Sequence, residues 1–179
     1  NDPLTDPTGE AFYLRHDQSG AVWGATPGPL PRRADDSRWV IRHGAGVTRY
    51  EHAVAGVRHE LTIFVAPEDP VKLAVLTLTN ATGIRQRISV FGDVEWCLGP
   101  PRAGERRFVV SETDEATGAL LATNTYNAEF GRRVAFMRAT VYMFGESQNP
   151  RWDELKTSMV VGTVALGVGL GSPLAGYLS

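Results

Sequence analysis

The run VKLAVLTLTN, from Val71 to Asn80, constrains this chain more than any other stretch. Successive side chains of a strand point to opposite faces. Val71, Leu73, Val75, Thr77 and Thr79 therefore fall on one side, and Lys72, Ala74, Leu76 and Leu78 on the other. Both sides carry apolar residues, which predicts a central strand. Further on, Ile84, Ile88 and Val90 alternate with Arg85, Arg87 and Ser89, the pattern of a strand with one buried and one solvated face. A tight turn at Asn80-Ala81-Thr82-Gly83 is expected to join the two into a long antiparallel hairpin spanning Val71 to Gly99, with the rest of the chain packed against it.

The flanking segments repeat the same grammar. AFYLR (Ala11 to Arg15) and AVWG (Ala21 to Gly24) enclose the turn HDQSG, where Gly20 supplies the positive φ a hairpin needs. Pro27, Pro29 and Pro31 forbid a strand interior between Thr26 and Ser37, so that segment is a loop. Strands are expected at Trp39 to His43, Val47 to Val54 and Val57 to Val65, the last two joined by a tight Ala55-Gly56 turn. PPRAGERR, Pro100 to Arg107, reads as a loop, and FVVSE, ALLATN and RRVAFMRA as further strands. Short strands at this spacing, with almost no helical periodicity before residue 137, predict an all-β antiparallel sandwich.

The C-terminal segment differs in kind. TSMVVGTVALGVGLGSPLAGYLS, Thr157 to Ser179, carries no charge over 23 residues, long enough to cross a bilayer as a helix. Gly167 and Gly171, Ala165 and Gly169, and Ser172 and Gly176 each stand four apart, a spacing that lets membrane helices approach closely. The same glycines lower helix propensity in water, which weighs against a buried soluble helix. The expected division is a sandwich over 1–136, a linker over 137–156 and an apolar, membrane-type helix over 157–179.

Composition narrows the chemistry. A net charge of −2 leaves no electrostatic footprint for nucleic acid. The single cysteine, Cys97, excludes an internal disulfide and is read as an inert buried thiol. His16, His43, His52 and His59 are scattered, and no pair has the spacing of a helical metal motif, so no metal or cofactor is expected. Asp93 and Glu95 share one face of a strand, the cheapest way to place two carboxylates together, and are read as solvated or salt-bridged rather than catalytic. Trp23, Trp39, Trp96 and Tyr126 are candidates for stacking on sugar rings. Trp96, between Val94 and Leu98, reads as core, whereas Trp23 and Trp39 lie near loop ends. The chain opens on Asn1 with no basic segment ahead of an apolar run, so no signal peptide is expected, and it reads as an internal piece of something longer.

Taken in order, DPTGEAFYLRHDQSGAVWGATP, HGAGVTRYEH, ELTIFVAPEDPVKLAVLTLTN, RQRISVFGDVEWCLGPPR and TGALLATNTYNAEFGRRVAF resemble the N-terminal β-sandwich of glycoside hydrolase family 94, formerly glycosyltransferase family 36. The resemblance covers about Asp2 to Phe136 and is strongest to the sandwich repeats of the cyclic β-1,2-glucan synthases, with cellobiose and chitobiose phosphorylases more distant. It implies a galactose-mutarotase-like supersandwich placed before a helical (α/α)6 barrel, the barrel carrying the catalytic acid and binding glucan and phosphate. A non-catalytic role beside that barrel, a β-glucan oligosaccharide as partner, and an inner-membrane or cytoplasmic location follow from the same resemblance.

Two departures accompany it. Family strands rich in Asn, Gly and Tyr are absent before Asn1, so the sandwich reads as truncated. After Phe136 the chain continues as MRATVYMFGESQNPRWDELK into the apolar tail, where the family pattern has an Asp-Arg pair leading to the barrel. The tail, ALGVGLGSPLAGYLS, resembles a helix of a major-facilitator transporter, and the combination reads as a truncated or chimeric frame. Arg102, in the loop that faces the barrel side in the family, is the leading candidate for ligand contact, with Trp23 and Trp39 behind it. A stand-alone carbohydrate-binding module and a membrane-anchored structural protein remain as alternatives. Exposed aromatics would favour the first, and detergent-dependent solubility the second.

Overall fold

The computed structural model describes residues 9–30, 38–96, 98–99, 106–127, 131–139, 141–144 and 158–170. Apart from one 3-10 turn at Arg106–Phe108, the regular structure of the described residues is antiparallel β, in two sheets. The smaller sheet has the order β2-β1-β7, from β1 (Glu10–His16), β2 (Val22–Gly24) and β7 (Ile88–Val94). The larger is built from β3 (Val40–Gly44), β4 (Val47–Val54), β5 (Val57–Val65), β6 (Val71–Asn80), β8 (Val110–Thr113), β9 (Leu120–Thr123), β10 (Arg133–Arg138), β11 (Val141–Phe144) and β12 (Ser158–Leu170). Its order is β3-β4-β5-β6-β12-β10-β9-β8, and β10 and β11 follow one another along the same edge of β12.

The expected hairpins form where turn chemistry is strongest. β1 turns into β2 with Gly20 at φ +72°, and its amide donates to the His16 carbonyl at 2.8 Å. β4 turns into β5 through Ala55 and Gly56 at φ +51° and +78°, the two left-handed residues of a two-residue hairpin. That turn fixes the register in which Val54 faces Val57 and His52 faces His59.

The hairpin expected from Val71 to Gly99 does not form. β6 pairs with β5 and β12, whereas β7 pairs with β1 in the other sheet. The intervening residues carry the chain from one sheet to the other, and side-chain bonds hold them in place of a ladder. Asn80 Nδ2 donates to the Ile84 carbonyl at 2.7 Å, and Asn80 Oδ1 accepts from the Thr82 amide at 2.9 Å. The Ala81 amide then donates to the Gly56 carbonyl at 2.9 Å, tying the crossing to the β4–β5 turn. β6 is nonetheless central, as its two apolar faces require.

A second correction concerns the tail. Ser158–Leu170 is not a helix but a strand of 13 residues between β6 and β10. Among the described residues no helix is long and apolar enough to cross a membrane. The valines of the run favour a strand, and its glycines disfavour a helix. Its register against β6 slips between Val161 and Val164, at Gly162 and Thr163, as glycine in a strand commonly marks. Residues 171–179 lie outside the described set.

The core lies between the sheets. Phe12, Leu14 and Trp23 from the smaller sheet meet Val57, Leu61, Ala74, Leu76, Leu78 and Met137 from the larger. Ile88, Val90 and Val94 pack on the same cluster, whereas Ser89, Phe91 and Asp93 alternate with them, so β7 has the two-faced character its sequence predicts. A smaller cluster of Leu98, Ala122 and Ala135 lies under β9 and β10, and Trp96 packs against both. Polar groups join the sheets as well: Lys72 Nζ on β6 donates to both carboxylate oxygens of Glu10 on β1 at 2.9 Å.

Candidate functional site

The aromatic and histidine residues singled out by sequence gather at two places. The first lies at the β4–β5 turn end of the larger sheet. His52 and His59 are cross-strand partners with inward-facing side chains, and both are buried. Trp39, directly before β3, extends the β3–β4 register and stacks on His52, with ring centroids 4.1 Å apart and planes 5° from parallel. Its ring also meets His59 edge-on at 5.4 Å, and the two imidazoles meet edge-on at 5.5 Å.

Trp23 closes this cluster from the smaller sheet. Its indole Nε1 donates to His59 Nδ1 at 3.3 Å. An indole N–H can only donate, so Nδ1 is the accepting nitrogen and the neutral ring carries its proton on Nε2. Burial, and secondly the neighbouring His52, lower the pKa of His59 to about 4, with a weaker opposing interaction from the Ala25 backbone. His59 is therefore neutral at physiological pH. It works as a hydrogen-bonded spacer between sheets, with no exposure to a substrate: His59 is 0% and Trp23 5% exposed. Trp39 is half-buried, one face occupied by His52.

The second place lies at the opposite end, where β9 leaves the sheet and β8 enters it. Phe108 and Tyr126 stack with centroids 4.0 Å apart and planes 14° from parallel. The Arg107 guanidinium carbon sits over the Phe108 ring at 4.8 Å. Asn124, fully buried, holds the turn: its Nδ2 donates to the Leu98 carbonyl at 2.9 Å and its Oδ1 accepts from the Tyr126 amide at 3.2 Å. Tyr126 itself is 68% exposed.

The remaining sequence candidates fall elsewhere. Asp93 and Glu95 are exposed, the first on β7 opposite Ala11 and the second directly after it, with the Glu95 amide donating to the Gly9 carbonyl. Trp96 packs against both apolar clusters. Arg102 and Cys97 lie outside the described residues. Among the described residues no group of three or more metal-ligating side chains converges. The His52–His59 pairing was available to sequence reasoning, because a two-residue turn at Ala55-Gly56 puts those positions opposite each other. The role of Asn124 carried no such signal.

Comparison with known proteins places this geometry. The family described as the glycosyl hydrolase 94 supersandwich domain matches residues 1–157. A cyclic beta-(1,2)-glucan synthase of Rhizobium meliloti is 35% identical over 136 residues, which cover 76% of this chain and 5% of that protein. A solabiose phosphorylase of Paenibacillus borealis is 37% identical over 87 residues, covering 49% of this chain and 11% of the phosphorylase. An N,N'-diacetylchitobiose phosphorylase of Vibrio furnissii is 24% identical over 166 residues, covering 81% of this chain and 20% of its own length. The chain thus spans between 5% and 20% of the length of these curated relatives.

Proposed function

Because the chain belongs to the glycosyl hydrolase 94 supersandwich family, we propose that it serves as a non-catalytic, carbohydrate-associated sandwich beside a helical (α/α)6 barrel that performs the chemistry. The parent activity in this reading is transfer or phosphorolysis of β-linked glucosyl units, with a β-glucan oligosaccharide as the partner of the assembled enzyme. The observation that carries it is the family match over 1–157 by a chain corresponding to a small fraction of synthase and phosphorylase relatives.

The disposition of polar groups supports the same reading. The two best-defined buried polar interactions, Trp23 with His59 and Asn124 with Leu98, stiffen the scaffold. The adjacent carboxylates Asp93 and Glu95 face solvent rather than opposing each other across a cleft, which is what glycosidic cleavage needs. Arg102 is the proposed contact of the sandwich with the barrel-bound glucan.

Complementation tests this. A relative's barrel produced without its own sandwich is mixed with the 179-residue chain and assayed for phosphate-dependent release of glucose 1-phosphate from β-1,2- and β-1,4-linked glucosides. The reading expects turnover from the mixture and none from the chain alone. Turnover by the chain alone, abolished by Asp93→Asn, would replace the architectural role with a catalytic one.

A further inference from the structure

We propose that the outer face of the Tyr126 ring is a stacking subsite for a pyranose ring of a β-linked glucan. The proposal deepens the carbohydrate reading above and rests on it, but it concerns residues that the reading does not use.

Four aromatic side chains entered as stacking candidates, and their surroundings separate them. Trp23 is buried and hydrogen-bonded to His59, Trp39 has one face against His52, and Trp96 is wedged between two apolar clusters. Tyr126 keeps most of its surface in water. An exposed aromatic at a loop tip is ordinary when it swings freely, but this one is stacked on a second ring and its backbone amide is held by a buried side chain.

Phe108 backs one face of its ring at 4.0 Å. Stacking that close leaves no room between the rings, so the Arg107 guanidinium, 4.8 Å over Phe108, takes the far face of Phe108. The order is therefore cation, phenyl, phenol, solvent. Asn124 pins the backbone from below, with its amide group spent on the Leu98 carbonyl and the Tyr126 amide. Burying an amide is costly unless both ends are bonded, and here both are, which favours this conformation of the turn over its alternatives.

The result is a flat ring backed by Phe108 on one face and, among the described residues, uncovered on the other. Such a ring loses little conformational freedom on binding, which is where preorganisation contributes affinity. The chemistry of the surroundings selects the occupant. Thr125 is exposed and Asn127 is half-exposed, so the chain on either side of the ring is polar rather than an apolar pocket for a peptide side chain. A β-glucosyl ring has the complementary shape. Its axial C–H bonds make each face apolar, and its equatorial hydroxyls point outward to a polar rim.

The test is a calorimetric titration of the full 179-residue chain with cellotetraose and with the β-1,2-linked glucose tetrasaccharide. Binding in the millimolar range is expected, weakened about tenfold in Tyr126→Ala and held within about twofold in Tyr126→Phe and Tyr126→Trp. Because Tyr126 is exposed, the Ala variant should unfold at the wild-type temperature, which separates loss of the ring from loss of the fold. Wild-type binding that Tyr126→Ala leaves unchanged would sink the subsite while sparing the carbohydrate reading. No binding to either tetrasaccharide by the folded chain would also sink it. Tyr126-dependent binding together with failed complementation would leave the subsite standing and remove the architectural role.

Discussion

The two aromatic groups of the sandwich sit at opposite ends of the larger sheet and are built in opposite ways. At the β4–β5 turn end, Trp23 and Trp39 close over His52 and His59, and the hydrogen bond from Trp23 to His59 bridges the sheets. At the end where β9 leaves the sheet and β8 enters it, Phe108 and Tyr126 stack outward, the outer face of Tyr126 uncovered among the described residues. Both groups contain rings that suit a sugar. What differs is the number of faces already covered, and that is decided by strand register and by one buried amide rather than by residue type. The closed group should govern stability, and the open one recognition.

The largest effect expected from this contrast is on folding. Trp23→Ala removes a buried indole and strands the His59 acceptor, and should cost about 3–5 kcal/mol in a denaturant titration, enough to unfold a marginal domain. Trp23→Phe keeps most of the volume but not the donor. It should fall well short of the Ala cost, and equal losses in the two variants would mean that the inter-sheet hydrogen bond, which both lose, carries the whole effect and the buried volume none of it.

Acid lability comes next. The folded pKa of His59, about 4, lies below the ordinary histidine value of 6.5 because burial, and secondly His52, disfavour the cation. Between those two values the unfolded chain binds a proton that the folded chain does not. Stability from this group is therefore full above pH 6.5 and drains away as pH falls toward 4, by an amount on the order of 3 kcal/mol. Among the described residues His52, Trp23, Trp39 and Ala25 face it, and none of these supplies a compensating negative charge. His59→Leu should flatten this limb of the pH–stability curve. An unchanged slope would place the acid sensitivity elsewhere.

Asn124→Ala sharpens the comparison from the other end. Loss of its bonds to Leu98 and Tyr126 should cost about 1–3 kcal/mol and also weaken tetrasaccharide binding, since the turn beneath Tyr126 is released. Stability lost with binding intact would show that the platform does not depend on being pinned. Smallest is Tyr126→Ala, expected within about 0.5 kcal/mol of wild type by thermal or chemical unfolding, as befits an exposed ring.

Much of the fold was legible in the sequence because β patterning is local. Gly20 and the Ala55-Gly56 pair announce their hairpins, and the proline-rich segment from Thr26 announces its loop. The antiparallel, two-sheet class and the family followed from those signals and from the order of the motifs. The connection after Asn80 did not, because alternation fixes which face a strand buries but not which sheet it joins. Ile88 and Val90 face the core equally well beside β6 or beside β1.

The tail was misread for a related reason. A strand hydrogen-bonded on both edges and a membrane helix can each be long and free of charge, so Ser158–Leu170 satisfied both descriptions, and only its valine and glycine content argued for the strand. Side-chain coverage was the least legible feature. Trp23 and Tyr126 look alike as residues near loop ends, yet His59 lies 36 positions from Trp23 and Leu98 lies 26 from Asn124. Long-range pairings of that kind leave no local mark.

Hydroxyl-radical footprinting of the folded 179-residue chain, read ring by ring by mass spectrometry, tests the contrast most directly. The account predicts that Tyr126 is modified fastest, that Trp39 lags, that Trp23 stays protected until the chain unfolds, and that adding cellotetraose protects Tyr126 alone. Trp23 modified as readily as Tyr126 in the folded chain would contradict the closed cluster, and with it the division between a ring that holds the sheets and a ring that meets the sugar.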